Sequence, residues 1–155
     1  MSAFDEAPIA VGVDGEAASR SAVQYAALEA AAIGVPLMLV HVVAMPGDES
    51  THAAVDRNSL LAHGRKILSE SADVARATAP GVRILTDLHH GARKSELAFA
   101  ARGSAKIVIG RSPTDEVDPT CTGSMAISLA EHASCPVVIV PADWHLRSDD
   151  PVLVG

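Results

Sequence analysis

A-K-I-V-I-G-R-S-P-T-D-E-V-D-P-T-C-T-G-S-M-A-I-S-L-A-E-H-A-S-C-P-V-V-I-V-P, from Ala105 to Pro141, is the stretch that decides the fold. The apolar run from Ala105 to Ile109 predicts a buried strand, and Gly110 opens a loop. A helix is expected from near Gly123 and Ser124, and Val137 to Val140 predicts a second buried strand. A strand that ends in glycine and leads to a Gly-Ser helix start is how α/β folds turn backbone N–H groups toward an anion.

Upstream of this stretch, strands and helices alternate. Pro8 to Asp14 (P-I-A-V-G-V-D) is a short apolar run stopped by Asp14-Gly15, as a central parallel strand is. Ser19 is the expected helix cap; Val23, Ala26, Ala27, Ala30 and Ile33 follow at helical spacing, and Gly34 closes the helix. Val35 to Val43 is the second strand, too apolar to have a solvent face. A polar connector from Ala44 to Thr51 leads to a long helix, Ala53 to Thr78, with an apolar stripe of Leu60, Leu61, Ile67, Leu68, Val74 and Ala75. Val82 to Leu88 is a third strand, more polar and so nearer a sheet edge. Gly91 then turns the chain into a short helix, Arg93 to Ala101, with Leu97 and Ala98 facing inward. Such alternation calls for a five-stranded parallel sheet with helices on both faces, and for a ligand at the carboxyl ends of the strands. Those ends carry Asp14, His41 to Val43, and Gly110.

With 155 residues, 48% of them apolar and 20% charged, the chain is one ordinary soluble domain. One Trp, one Tyr and two Phe leave the core to Ala, Val, Leu and Ile. A net charge of −7 disfavours nonspecific attraction to nucleic acid or anionic lipid. No apolar run approaches the ~20 residues of a membrane span. Cys121 and Cys135, behind an N-terminus without signal character, point to a reducing cytoplasm and read as small core or loop residues. No metal site is expected: His89-His90 lies at a strand end but lacks further ligands in the pattern. His41, in an apolar strand, reads as a satisfied core histidine. The P-loop pattern G-x-x-x-x-G-K-[ST], the dinucleotide pattern G-x-G-x-x-G after the first strand and the nucleophile elbow G-x-S-x-G are all absent.

Three pieces, V-G-V-D-G at Val11 to Gly15, L-V-H-V-V at Leu39 to Val43, and I-V-I-G … G-S … C-P-V-V-I-V-P, occur in an order and spacing that resembles the universal stress protein family over Pro8 to Pro141. The resemblance implies a Rossmann-like, five-stranded parallel sheet in the order 3-2-1-4-5. It also implies dimerisation and, as in many members, ATP binding through Gly, two residues, Gly, nine residues, Gly, then Ser or Thr. Carried onto this chain, the cofactor-binding residues are Asp14, Val42, Gly110, Gly123 and Ser124. Asp14 would meet the adenosine, the Val42 main chain would read the adenine edge, and the other three would lie under the phosphates.

The chain departs from the family at Pro113, which stands where the second glycine belongs. Proline fixes φ and removes an N–H donor, so one phosphate contact is lost. Asp115, Glu116 and Asp118 oppose a triphosphate of charge about −4 unless a divalent cation intervenes. Two readings stay open. In the first, this is a cytoplasmic stress-response binding and signalling module, not a dedicated enzyme, that takes ATP or another adenine nucleotide with Mg²⁺. In the second, the site has decayed, no cofactor binds, and the domain acts structurally through dimerisation or tandem pairing. For each residue a plain role competes: Asp14 could merely cap a turn, Gly110 merely make one, and Thr122 or Ser124 merely cap a helix.

Residues 1–141 are expected to form the domain and residues 142–155 a linker or tail. Pro151 to Gly155 (P-V-L-V-G) echoes Pro8 to Gly12 (P-I-A-V-G), as the start of a second tandem domain would, the alternative being a C-terminal edge strand. The partners expected are thus a second copy or a tandem domain, with no nucleic acid and no membrane.

Overall fold

The structure, a computed structural model, describes residues 7–44, 53–111 and 129–144. Strand β1 (Ile9–Gly12) leads through α1 (Ala17–Ile33) to β2 (Leu37–Val43), and α2 (Ala53–Thr78) leads to β3 (Ile84–His90). Helix α3 (Arg93–Ala100) precedes β4 (Lys106–Arg111), residues 129–132 are helical, and β5 (Val137–Pro141) follows. All strand pairs are parallel and the order is β3-β2-β1-β4-β5, the expected Rossmann-like arrangement. The order runs one way from β1 to β3 and the other way from β4 to β5. Right-handed crossovers therefore put α1 and α2 on one face and α3 on the other.

Alternation along β1 divides the core accordingly. Ile9, Val11 and Val13 pack with Val23, Ala26 and Ala27 of α1 and with Ile67 and Leu68 of α2. Ala10 faces Leu97, Ala100, Ile107 and Leu129 on the opposite side. Small residues bring the helices close. Four alanines of α1 (Ala22, Ala26, Ala27 and Ala30) are fully buried, which suits both helix propensity and close approach to the sheet. A Cβ on Gly12 would stand 3.2 Å from Leu97 Cδ2, and one on Gly110 would stand 2.2 Å from the Ala18 carbonyl oxygen. After β5 the chain returns to α1: Ser21 Oγ donates to the Ala142 carbonyl at 2.9 Å, and Trp144 meets Tyr25 edge-on with centroids 5.6 Å apart.

Several boundaries differ from expectation. Helix α1 starts at Ala17 with Glu16 as its N-cap, so Ser19 is not the cap. The Asp14 carboxylate already accepts the Glu16 N–H at 2.8 Å, and buried Ser19 Oγ instead accepts the Asp14 N–H at 3.2 Å. Strand β2 begins at Leu37, two residues after the predicted start. Strand β3 sits two residues later than predicted, because its pairing with β2 continues to His90. Strand β4 runs on to Arg111, because β5 pairs with it as far as Pro141. Ile33, at the end of the α1 stripe, is exposed. Among the described residues, no helix is long and apolar enough to cross a membrane.

Candidate functional site

The central strand stops short of both neighbours. Gly12 ends β1 opposite Val40, while β2 continues through His41, Val42 and Val43. On the other side the last pair is Val11 with Val108, while β4 continues through Ile109, Gly110 and Arg111. The result is a notch in the carboxyl edge of the sheet at the point where the strand order reverses, the place where open α/β sheets bind ligands.

Main-chain groups face this notch. The Val13 N–H donates to the Val40 carbonyl at 2.8 Å, and the Gly91 N–H to the Val43 carbonyl at 3.0 Å, so Val40 turns toward β1 and Val43 toward β3. By strand alternation Val42 turns its N–H and C=O the way Val40 does, toward β1, at a level where β1 has already ended. His41 is satisfied as expected: its Nδ1–H donates to the Val13 carbonyl at 2.6 Å.

Asp14 follows the end of β1 by two residues, with both carboxylate oxygens engaged. Oδ1 accepts the Glu16 N–H at 2.8 Å, the Asx-type turn. Oδ2 accepts from Arg93 Nη2 at 3.3 Å, across 79 residues of sequence. Arg93 did not stand out in the sequence; the available signal was its place in the first turn of a helix that must cross the crevice in this strand order. Gly110 borders the notch, yet its glycine has a packing cause independent of any ligand, the approach of the α1 backbone at Ala18. Gly123, Ser124, Thr122, Pro113, Asp115, Glu116, Asp118 and Cys121 lie outside the described residues.

Beside the notch, His89 is held between two carboxylates, another grouping missed from sequence. Its Nε2 lies 2.7 Å from Asp87 Oδ2 and its Nδ1 lies 3.2 Å from Glu96 Oε1, with the side chain only 15% exposed. Both ring nitrogens are therefore taken, and among the described residues no group of His, Cys, Asp or Glu is arranged to hold a metal. Burial opposes the charged imidazole, but the hydrogen bonds to Asp87 and Glu96, together with their charges, outweigh it and raise the His89 pKa above 6.5. A raised folded-state pKa stabilises the fold fully below the ordinary value, and that contribution is lost as pH rises through the folded pKa. Melting curves across this range should show wild type losing stability with rising pH and His89→Gln losing much less; equal slopes would contradict the clamp. Cys135 is partly buried and burial raises its thiol pKa, so it behaves as an inert packing residue.

The model of the universal stress protein family matches residues 7–141. A universal stress protein of Mycobacterium tuberculosis (strain ATCC 25618 / H37Rv) is 33% identical over 133 residues, which cover 85% of this chain and 47% of that protein. The chain thus spans about half the length of the curated relatives it matches. Among solved structures, a universal stress family protein from Burkholderia pseudomallei superposes with a TM-score of 0.70 at 26% identity, covering 91% of this chain and 98% of that one. The universal stress protein from Archaeoglobus fulgidus in complex with dAMP superposes with a TM-score of 0.61 at 23% identity, covering 86% and 97%, a likeness of fold.

Proposed function

This chain belongs to the universal stress protein family, and on that premise we propose that it is a stress-response binding and signalling module that holds an adenine nucleotide in the notch beyond β1. The observation that carries the proposal is the early end of the central strand: β1 stops at Gly12, two residues before Asp14, while β2 runs on through Val42 and β4 through Gly110. In this reading the Val42 N–H and C=O pair with the adenine edge, and Asp14 accepts hydrogen bonds from the ribose. Gly110, with Gly123 and Ser124, carries the phosphates. The dAMP complex of the Archaeoglobus fulgidus relative supports adenine as the base. ATP requires Mg²⁺ here, because Asp115, Glu116 and Asp118 otherwise repel it, whereas AMP does not. Any hydrolysis is slow, since the spacing from Gly110 to Ser124 contains no lysine.

Thermal shift with AMP, ATP and cAMP, each with and without Mg²⁺, tests this. A ligand that binds only the folded chain stabilises it by about 2.7 kcal/mol at a hundredfold excess over its Kd. The expected result is a shift with AMP alone and with ATP only when Mg²⁺ is present. No shift with any of the three at millimolar concentration would overturn the proposal.

A second reading, self-pairing at the sheet edge in the cytoplasm, is favoured by one observation: Ile139 of edge strand β5 is 43% exposed. An exposed apolar edge is a template for pairing with a second copy or a tandem domain. Ile139→Lys should weaken self-association at least about tenfold, given the ~1.5–3 kcal/mol of a buried isoleucine. Sedimentation equilibrium that finds the variant and wild type equally associated would contradict it.

A further inference from the structure

We propose that Arg93 makes the notch select nucleotides over nucleosides, by covering Asp14 when the site is empty and turning to the phosphate when a ribose takes its place. The inference rests on the adenine-nucleotide reading above and deepens it.

Both Asp14 oxygens already accept one bond: Oδ1 takes the Glu16 N–H at 2.8 Å in the turn, and Oδ2 takes Arg93 at 3.3 Å. The second is the longer and more easily displaced contact, so a ribose hydroxyl arriving at Oδ2 meets Arg93 there. The competition is easily won: Arg93 is 50% exposed and Asp14 35%, and ion pairs this open are held weakly.

The arginine is free to swing while its helix stays in place. The backbone at the start of α3 is tied by the Gly91 N–H on the Val43 carbonyl at 3.0 Å, and its first turn by Glu96 against His89 at 3.2 Å. Only the long side chain of Arg93 has to move. Two residues past the Val11–Val108 pair stand Val13 and Gly110. Asp14 is one residue beyond Val13, so the Asp14 and Gly110 positions are about 6 Å apart by strand spacing and rise, and a phosphate above Gly110 falls within the reach of an arginine side chain. A guanidinium forks onto phosphate oxygens in a charge-assisted, bidentate contact.

A nucleoside therefore breaks the Arg93–Asp14 pair and leaves the guanidinium without a replacement. A nucleotide breaks the same pair and supplies one.

Calorimetric titration of the full chain with adenosine and with AMP, without metal, tests this. Wild type is expected to bind AMP more tightly than adenosine. In Arg93→Gln, AMP should weaken about tenfold or more, the loss of one charge-assisted contact. Adenosine should hold or tighten by up to about fivefold, because Oδ2 is released. Arg93→Lys keeps the charge without the fork and should retain part of the AMP preference. A purely structural role would weaken both ligands together. That result, or an unchanged ratio of AMP to adenosine affinity, overturns the inference while leaving the site intact. Silence of wild type toward both ligands at millimolar concentration overturns the nucleotide reading and the inference with it.

Discussion

Gly110→Ala is expected to lower the melting temperature by about 6–12 °C, with or without ligand. The added Cβ would stand 2.2 Å from the Ala18 carbonyl oxygen and 2.9 Å from the Ser19 nitrogen, both backbone atoms of the first turns of α1. No side-chain rotation relieves such a clash; the helix or the strand has to move. Overpacking of this kind costs ~1–3 kcal/mol and sometimes more, and a backbone clash belongs at the upper end. Differential scanning calorimetry checks it, and a shift below about 2 °C would mean that α1 yields more readily than its buried alanines suggest. The result bears on function. Gly110 is the first glycine of the proposed phosphate-binding spacing, so lost nucleotide binding in this variant is not evidence of a lost phosphate contact.

Asp14→Asn should weaken AMP about ten- to hundredfold while leaving stability within about 1 kcal/mol of wild type. Asparagine has one acceptor oxygen. If that oxygen keeps the Glu16 N–H that Asp14 Oδ1 accepts at 2.8 Å, the turn into α1 survives. The amide NH₂ then occupies the place of Oδ2. It faces the Arg93 guanidinium donor to donor in the empty site, and in the filled one it can only donate to a ribose hydroxyl, so the stronger bond that a hydroxyl gives to a charged carboxylate is lost. The pattern is specific: affinity falls and the melting temperature holds. Equal affinity of the two proteins for AMP would exclude Asp14 from the site, whereas a large drop in melting temperature would return Asp14 to its turn-capping role alone.

The fold was legible because its strands are nearly continuous apolar runs between glycines and prolines. Pro8 to Asp14, Val35 to Val43 and Val137 to Val140 all lie on strands or extend them by a residue or two, and Gly34 ends α1 in the left-handed conformation at φ 76°. Local chemistry misled where a residue suited to one role was taken up in another. Ser19 resembles a cap, but the helix already begins at Ala17, and the Ser19 hydroxyl accepts the Asp14 N–H instead. Gly110 was legible as a required glycine but not for its reason, since the crowding comes from Ala18, far away in sequence. Arg93 on Asp14 was not legible at all, because nothing local to either residue encodes the other; only the strand order brings α3 over the end of β1. The clasp of His89 by Asp87 and Glu96 combines a strand period with a helical turn across the Gly91 bend, which a one-dimensional scan for metal spacings does not contain.

A crystal of this chain grown or soaked with millimolar AMP puts the question to the notch itself. The adenine edge should lie within hydrogen-bond distance of the Val42 nitrogen and oxygen, with the ribose on Asp14 Oδ2 and Arg93 turned from Asp14 to the phosphate. A notch still closed by the Arg93–Asp14 pair, or AMP bound elsewhere on the molecule, would contradict the proposed site.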